Sequence, residues 1–382
     1  MIRALFLSHT AAPSGAELAT MRLLSALDPA AVEPVMMFTE NGPMVRRFRA
    51  RGIRTLVLPN HFDSRSMTID AAGIRRLVVG GIGLVRLGCR LGSKARRLEV
   101  DVLVAGSTKA MLMGAVAARR ARVPLIWSVH DRISAQYFGR LLAGVIRLLG
   151  WLVSAGYLVN SRSTASSLIT RRKPLAVVYP GVELDPAPVA ARSPQRPPGE
   201  VVVAVVGRLT PWKGQDVFLR AIAAVKARPR QVFLVGGAFF GEEPYRAELT
   251  RLADVLRLEV TFTGHVEDPR RYLRQADILV HCSVLAEPFG QVVVEGMAAG
   301  CAVIATRPGG PAEIIESGVH GLLVDGGDTA QLTAALDTLI ADPALRSELA
   351  ASGASAARAF DITESARIAA DFLTSVVEVR RG

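Results

Sequence analysis

The chain has 382 residues, 50% hydrophobic and 21% charged, which excludes a disordered or low-complexity protein and suits two globular domains better than one. A formal charge of +12, from 46 Lys and Arg against 34 Asp and Glu, asks for an anionic partner such as nucleic acid, a membrane surface or a phosphorylated small molecule. The three cysteines, Cys89, Cys282 and Cys301, are far apart and form no Cys-x-x-Cys pair, so a disulfide framework or zinc site is not expected and a reducing, cytoplasmic setting is.

In chain order, the opening run resembles a leader only until Ser8-His9 interrupts it, so a buried first strand near Ala4–Leu7 is predicted instead. Further strands are predicted near Val35–Phe38, Thr55–Leu58, Asp101–Val104, Leu125–Val129, Gly156–Asn160 and Ala176–Tyr179, with helical stretches between them. The apolar stretch from Leu141 to Val159 is broken by Arg147, Ser154 and Gly156, and falls short of the roughly 18 uninterrupted apolar residues of a spanning helix. From Asp185 to Gly199 there are 5 prolines in 15 residues, a composition that feeds neither sheet nor helix and reads as a linker. The series restarts at Val201–Val206 and continues near Val232–Val235, Val260–Thr263, Ile278–His281, Ala302–Ala305 and Gly321–Val324, before a last helix from Glu364 to Val379. The expected organisation is an N-terminal α/β domain over 1–182, a linker over 183–199, a second α/β domain over 200–360 and a terminal helix over 361–382. Two such domains normally leave a cleft beside the carboxyl ends of their strands. Split at Gly199, the first part carries 28 Lys and Arg against 11 Asp and Glu (+17), and the second 18 against 23 (−5).

The chemistry concentrates in the second domain. Gly207 gives the buried strand a sharp exit, placing Arg208 and Lys213 at the sheet's carboxyl edge, where two cations can hold a diphosphate and stabilise its growing charge. The segment Glu287-Pro-Phe-Gly-Gln-Val-Val-Val-Glu295-Gly-Met-Ala-Ala-Gly300 adds two carboxylates seven residues apart. Pro288 suits the first turn of a helix, Gly290 leaves backbone amides accessible, and the N–H groups of Phe289, Gly290 and Gln291 make an anion or hydroxyl site. A carboxylate accepts two hydrogen bonds at once, which fits a sugar diol, and Glu295 is expected to lean back toward Glu287.

These residues resemble the Glu-x7-Glu signature of family 4, retaining glycosyltransferases of the GT-B fold. The resemblance extends through Gly207-Arg-Leu…Lys213-Gly, Thr263-Gly-His-Val266 and Gly309-Gly-Pro-Ala-Glu-Ile-Ile315, and upstream through Ser14-Gly15-Ala-Glu17 and His130-Asp131. It implies an α/β, GT-B architecture of two Rossmann-like domains, a nucleotide-diphosphate sugar as donor, and no metal ion or other cofactor. By position, Arg208 and Lys213 would bind the donor diphosphate, Glu295 the nucleotide ribose, and Glu287 the donor sugar at its reacting face. Phe289, Gly290 and Gln291 would offer amides to sugar and phosphate, and Val266, in the turn from Thr263 to Asp268, would border the base. His130 would contact the donor sugar, and Gly15 would let the first domain's loop approach the diphosphate. Ser14 departs from the family's second glycine, and no Asp-x-Asp metal motif is present. The resemblance leaves open a front-face reaction, with the departing phosphate taking the acceptor's proton, and a two-step route with Glu287 as nucleophile.

The hydroxyl acceptor is less legible. Between Ile74 and Arg97, Arg75, Arg86, Arg90, Lys94 and Arg97 share one helical face, an arrangement suited to an anionic membrane at the cytoplasmic surface, although the glycines of the stretch oppose a helix. A lipid-linked or membrane glycan and a soluble natural-product acceptor both stand. Two alternatives keep the fold or the charge: a sugar-nucleotide epimerase, and a non-catalytic basic protein binding membrane or nucleic acid. Against nucleic acid stands the low aromatic content of 5%, and against a dinucleotide-binding dehydrogenase the turn Pro13-Ser-Gly-Ala after the first strand.

Overall fold

The computed structural model describes residues 1–59, 74–184, 197–239 and 241–381, with 74–82 and 198 described by backbone only. Most of the proline-rich stretch, residues 185–196, and the side chain of Arg75 lie outside the described residues. The chain divides into two compact units, one formed by Met1–Gly181 with Ile362–Gly382, the other by Val182–Asp361.

The first unit holds strands β1 (Ile2–Ser8), β2 (Val32–Phe38), β3 (Arg54–Val57), β4 (Val102–Ala105), β5 (Leu125–Val129), β6 (Gly156–Val159) and β7 (Leu175–Val177), in the order β3-β2-β1-β4-β5-β6-β7. The second holds β8 (Val202–Val206), β9 (Gln231–Val235), β10 (Val260–Gly264), β11 (Ile278–Val280), β12 (Ala302–Arg307) and β13 (Leu322–Asp325), in the order β10-β9-β8-β11-β12-β13. Each of these strand pairs is parallel, as expected when helices connect the strands and cover both faces. All thirteen sequence-predicted strands are present, within a few residues. β2 starts at Val32, earlier than expected, and so includes Pro34. Pro34 pairs with Ala4 of β1, while β3 joins only at Val35, so its missing N–H falls where the strand is locally an edge.

Alternation along β1 separates the two cores of the first unit. Ile2, Ala4 and Phe6 face a layer made with helices Gly15–Ala26 and Ile362–Arg381, whereas Leu5 and Leu7 face a layer made with helices Ile74–Arg97, Thr108–Ala121 and Arg140–Val153. The glycines that opposed a helix over 74–97 act in packing instead. A Cβ at Gly88 would lie 2.6 Å from Val116 Cβ, and one at Gly92 would lie 2.7 Å from the Ala117 carbonyl oxygen. Close approach to the neighbouring helix offsets the glycines' backbone entropy of about 1 kcal/mol each.

In both sheets the chain lays the first strand centrally, adds two strands to one side and then reverses. The reversal falls between β1 and β4 in one unit and between β8 and β11 in the other. Loops leaving the carboxyl ends of such a strand pair diverge and open a binding crevice.

Candidate active site

The loops after β8 and β11 bring the main candidate residues together. After β8, Gly207 donates its N–H to the Val235 carbonyl at 2.9 Å, and the chain passes Arg208 into a short 3-10 turn, Pro211–Lys213. Gly214 then takes φ +70°, and a Cβ there would lie 2.1 Å from the Cys282 carbonyl oxygen. Val284 N–H donates to the Trp212 carbonyl at 2.8 Å, and the Cys282 thiol to that of Lys213 at 3.3 Å. Burial pushes the Cys282 thiol up to about 12, so it is a protonated structural donor rather than a nucleophile. The two loops are thereby laid against each other, and Lys213 reaches Glu287.

Glu287 is the centre of the site. Its Oε2 accepts from Lys213 Nζ at 2.6 Å and Ser283 Oγ at 2.8 Å, with His281 Nε2 at 3.3 Å. The Glu287 side chain is only 12% exposed and that of Lys213 19%. Burial by itself would push the carboxyl up; the Lys213 ammonium and then the His281 hydrogen bond overcome it, and hold the carboxyl well below the usual range. Behind it, Thr306 N–H lies 3.4 Å from His281 Nδ1, while the Thr306 hydroxyl donates to the Ser283 carbonyl at 2.8 Å. An amide can only donate, so this contact makes Nδ1 the acceptor and leaves Nε2 to donate toward Glu287.

The backbone of the Glu287 loop is clamped from the other side by Gly309 and Gly310. Gly310 N–H donates to the Glu287 carbonyl at 2.8 Å, and a Cβ on Gly310 would lie 2.2 Å from Phe289 Cα. The helix runs Gln291–Ala298 with Gly290 as its N-cap at φ 90°, ψ 52°. Pro288 therefore stands two residues before the cap, outside the first turn that its helix preference suggests. A left-handed residue cannot extend the helix backward, and Gly290 is that residue. Phe289 is buried, its ring 6.0 Å from that of Phe360, and Gln291 is half-buried at the helix start.

The other second-unit candidates sit on the loops after β8 and β10 and on the helix after Gly290. Arg208 Nε is 3.5 Å from Glu242 Oε2, on the loop after β9, and its carbonyl accepts from Gln215 Nε2 at 2.8 Å. Val266 is half-buried in the loop after β10, where the neighbouring His265 ring meets Phe239 edge-on at 5.3 Å. Glu295 is half-buried on the helix after Gly290, and its charge, behind the closer Asp268, helps hold Arg270 cationic.

In the first unit, Gly15 is exposed at the start of helix Gly15–Ala26, with Ser14 as N-cap. Ser14 Oγ and Ser8 Oγ both donate to the buried Glu17, and burial, opposed by those hydrogen bonds, raises the Glu17 carboxyl. His130 follows β5, with its Nε2 3.1 Å from Ser128 Oγ, and burial pulls it down to about 4, so the ring is neutral at pH 7. Ser8, Glu17, Ser128, His130 and Asn160 share a cavity of about 40 Å³ at the strands' carboxyl ends, and Asn160 Oδ1 has no hydrogen-bond partner among the described residues.

Sequence reasoning missed His281, Ser283 and Thr306. His281 and Ser283 lie directly beyond a buried strand, six and four residues before Glu287, which is a readable signal, but the pairing of β11 with β12 that delivers Thr306 is not readable from spacing.

Residues 13–186 match the model of the Glycosyltransferase Family 4 family, and residues 189–356 that of Glycosyl transferases group 1. The chain belongs to the family 4, group 1 glycosyltransferases. Two crystal structures of Anabaena HepE, one with UDP and glucose and one with UDP-glucose, match with a TM-score of 0.82 at 27% identity, covering 98% of this chain and 100% of theirs. The two parallel sheets thus form the GT-B fold. The lipopolysaccharide core biosynthesis glycosyltransferase LpsD of Rhizobium meliloti is 28% identical over 331 residues, 82% of this chain and 88% of that protein. A D-inositol 3-phosphate glycosyltransferase of Streptomyces avermitilis is 30% identical over 298 residues, 70% of this chain but 64% of that relative's length.

Proposed function

We propose that this glycosyltransferase moves a hexosyl group from a nucleotide-diphosphate sugar to a hydroxyl acceptor, with retention of configuration and without a metal ion. The observation that carries the reading is the ionised, nearly buried Glu287, held by Lys213, Ser283 and His281 at the strand reversal of the second unit. Lys213 and Arg208 are the fixed cations of that crevice, and their charge replaces a metal ion on the departing diphosphate. The HepE complexes with UDP and UDP-glucose support a uridine donor as the first to try.

The three described bonds to the Glu287 carboxylate all fall on Oε2. A carboxylate with so little affinity for a proton is a weak nucleophile and a good hydrogen-bond acceptor. This favours a role beside the sugar in a front-face reaction over a glycosyl-enzyme intermediate. In that role Glu287 orients a donor hydroxyl and stabilises positive charge at the anomeric carbon, and the departing phosphate oxygen takes the acceptor's proton.

For the acceptor, the first unit carries 29 Lys and Arg against 12 Asp and Glu, a net of +17. We read its partner as anionic, either a bilayer surface or a phosphorylated, lipid-linked acceptor.

The test is thermal stabilisation by UDP-, GDP-, ADP- and dTDP-sugars, with and without a chelator. One class of donor is expected to raise the melting temperature unaffected by chelation, and the product anomer, read by NMR, to match the donor's. No response to any donor, or an inverted product, overturns the reading.

A further inference from the structure

The exposed apolar surface of the first unit is concentrated on one helix. On Arg140–Val153, Leu141 is 84% exposed, Val145 44%, Leu148 49% and Leu152 59%, at intervals of four, three and four residues. Ala143, Ile146 and Gly150 of the same helix are buried, and a Cβ at Gly150 would lie 2.3 Å from the Trp127 ring. The helix is thus apolar on both sides. Its inner side packs on the sheet, and among the described residues nothing of the unit covers its outer side. No helix among the described residues is long and apolar enough to cross a membrane.

We propose that this outer stripe inserts into the surface of an anionic bilayer and docks the first unit there. The occupant is chosen by charge. From Arg132 to Val182 the sequence has no acidic residue and 7 basic ones. Arg140 opens the helix, and exposed Arg171 and Arg172 flank its far end, where Trp151 Nε1 donates to the Arg171 carbonyl at 3.2 Å. Lys173 Nζ sits 5.8 Å from the Trp151 ring and donates to the Ser154 carbonyl at 2.8 Å. Helix Ile74–Arg97, in the same layer over the sheet, exposes Arg86, Arg90, Lys94 and Arg97. An apolar stripe on a segment that carries cations and no carboxylates is matched by lipid acyl chains beneath anionic headgroups, each nearby cation contributing about 1 kcal/mol. A second copy of the chain would meet the same positive field and be repelled.

The inference rests on the reading of an anionic partner for this unit and adds the element that penetrates. Its test is co-sedimentation of the full chain with phosphatidylcholine vesicles, with and without phosphatidylglycerol, for the wild type, Leu148→Ser/Leu152→Ser and Arg86→Glu/Arg90→Glu. The wild type is expected to bind the anionic vesicles only, with Trp fluorescence shifted to the blue. The leucine variant is expected to lose at least about tenfold in partitioning while its melting temperature and its donor-induced stabilisation stay unchanged. If the leucine variant binds as the wild type while the arginine variant does not, the stripe does not penetrate and the anionic-partner reading survives alone. If the wild type ignores anionic vesicles, the docking inference falls together with the bilayer arm of the anionic-partner reading, and only the phosphorylated acceptor is left. If the wild type is a dimer that the leucine variant breaks, the stripe belongs to a second copy and the inference is overturned.

Discussion

Replacing Lys213 with methionine isolates the charge balance at Glu287. The side chain keeps its length, but the carboxylate loses the closest of its three donors, the ammonium at 2.6 Å. Stripping one partner from a fully buried ion pair costs ~3–5 kcal/mol, and a charged hydrogen bond ~1.5–3 kcal/mol. Since the two side chains retain 19% and 12% exposure, the lower part of that range, about 2–3 kcal/mol, is expected at pH 7.5. The pH dependence carries the sharper signature. In the wild type, Glu287 titrates below its ordinary value of 4.5, so it contributes stability above that pH that is lost only as the pH falls through the lower folded value. Without Lys213, burial is left to push the carboxyl upward, and Glu287 takes up its proton at higher pH. The stability gap between the two proteins should therefore be widest at neutral pH and narrow on acidification. The double variant Lys213→Met/Glu287→Gln, with no charge left unpaired, should be more stable than the sum of its single variants by about 1–2 kcal/mol. Urea unfolding of the four proteins at pH 7.5 and pH 4.5 reads all three quantities. A pH-independent gap together with strict additivity would refute the assignment of a buried, coupled pair.

Other expectations follow from the same geometry. Replacing Arg208, proposed above to face the departing diphosphate, with Ala should lower turnover about 10²–10³-fold, with stability changed by less than about 1 kcal/mol because its partly exposed pair with Glu242 is weak. His281→Gln, which retains an N–H near the Nε2 position, should keep more activity than His281→Leu, and a steady-state comparison of kcat in the two variants decides it. Gly214→Ala should destabilise the second unit by at least ~1–3 kcal/mol, because the residue sits at φ +70° with no room for a Cβ; thermal unfolding reads this directly. His130, held at about 4, resists protonation when folded, so the first unit should lose stability as the pH drops from the ordinary 6.5 toward 4, and His130→Gln should flatten that limb of the profile.

What the sequence disclosed and what it hid divide along physical lines. Strands such as Val202–Val206 and Leu125–Val129 are short apolar runs buried on both faces, and that burial is written in composition. The two cations and the Glu287 segment were legible because each follows a strand whose exit fixes its direction. The donors behind Glu287 were not, since Thr306 reaches His281 only through the order in which strands pair. Pro288 misled because a general helix preference was applied where one left-handed glycine decides the boundary. The glycines of Ile74–Arg97 misled for the opposite reason, as their cost is local while their benefit lies on another helix.

The assignment of helix Ile362–Arg381 to the first unit has a consequence in time. Ala366, Ala369, Leu373 and Val377 complete the layer that covers Phe6, Met36 and Leu158, yet they are joined to it by a chain that first makes the whole second unit. On the ribosome, the amino-terminal sheet is made early but waits for residues 362–381 before one face is closed. The second unit, contiguous in sequence, suffers no such delay. The later-made unit is therefore the first whose sequence is complete for folding, and the first unit's sheet keeps one apolar face open until residues 362–381 arrive.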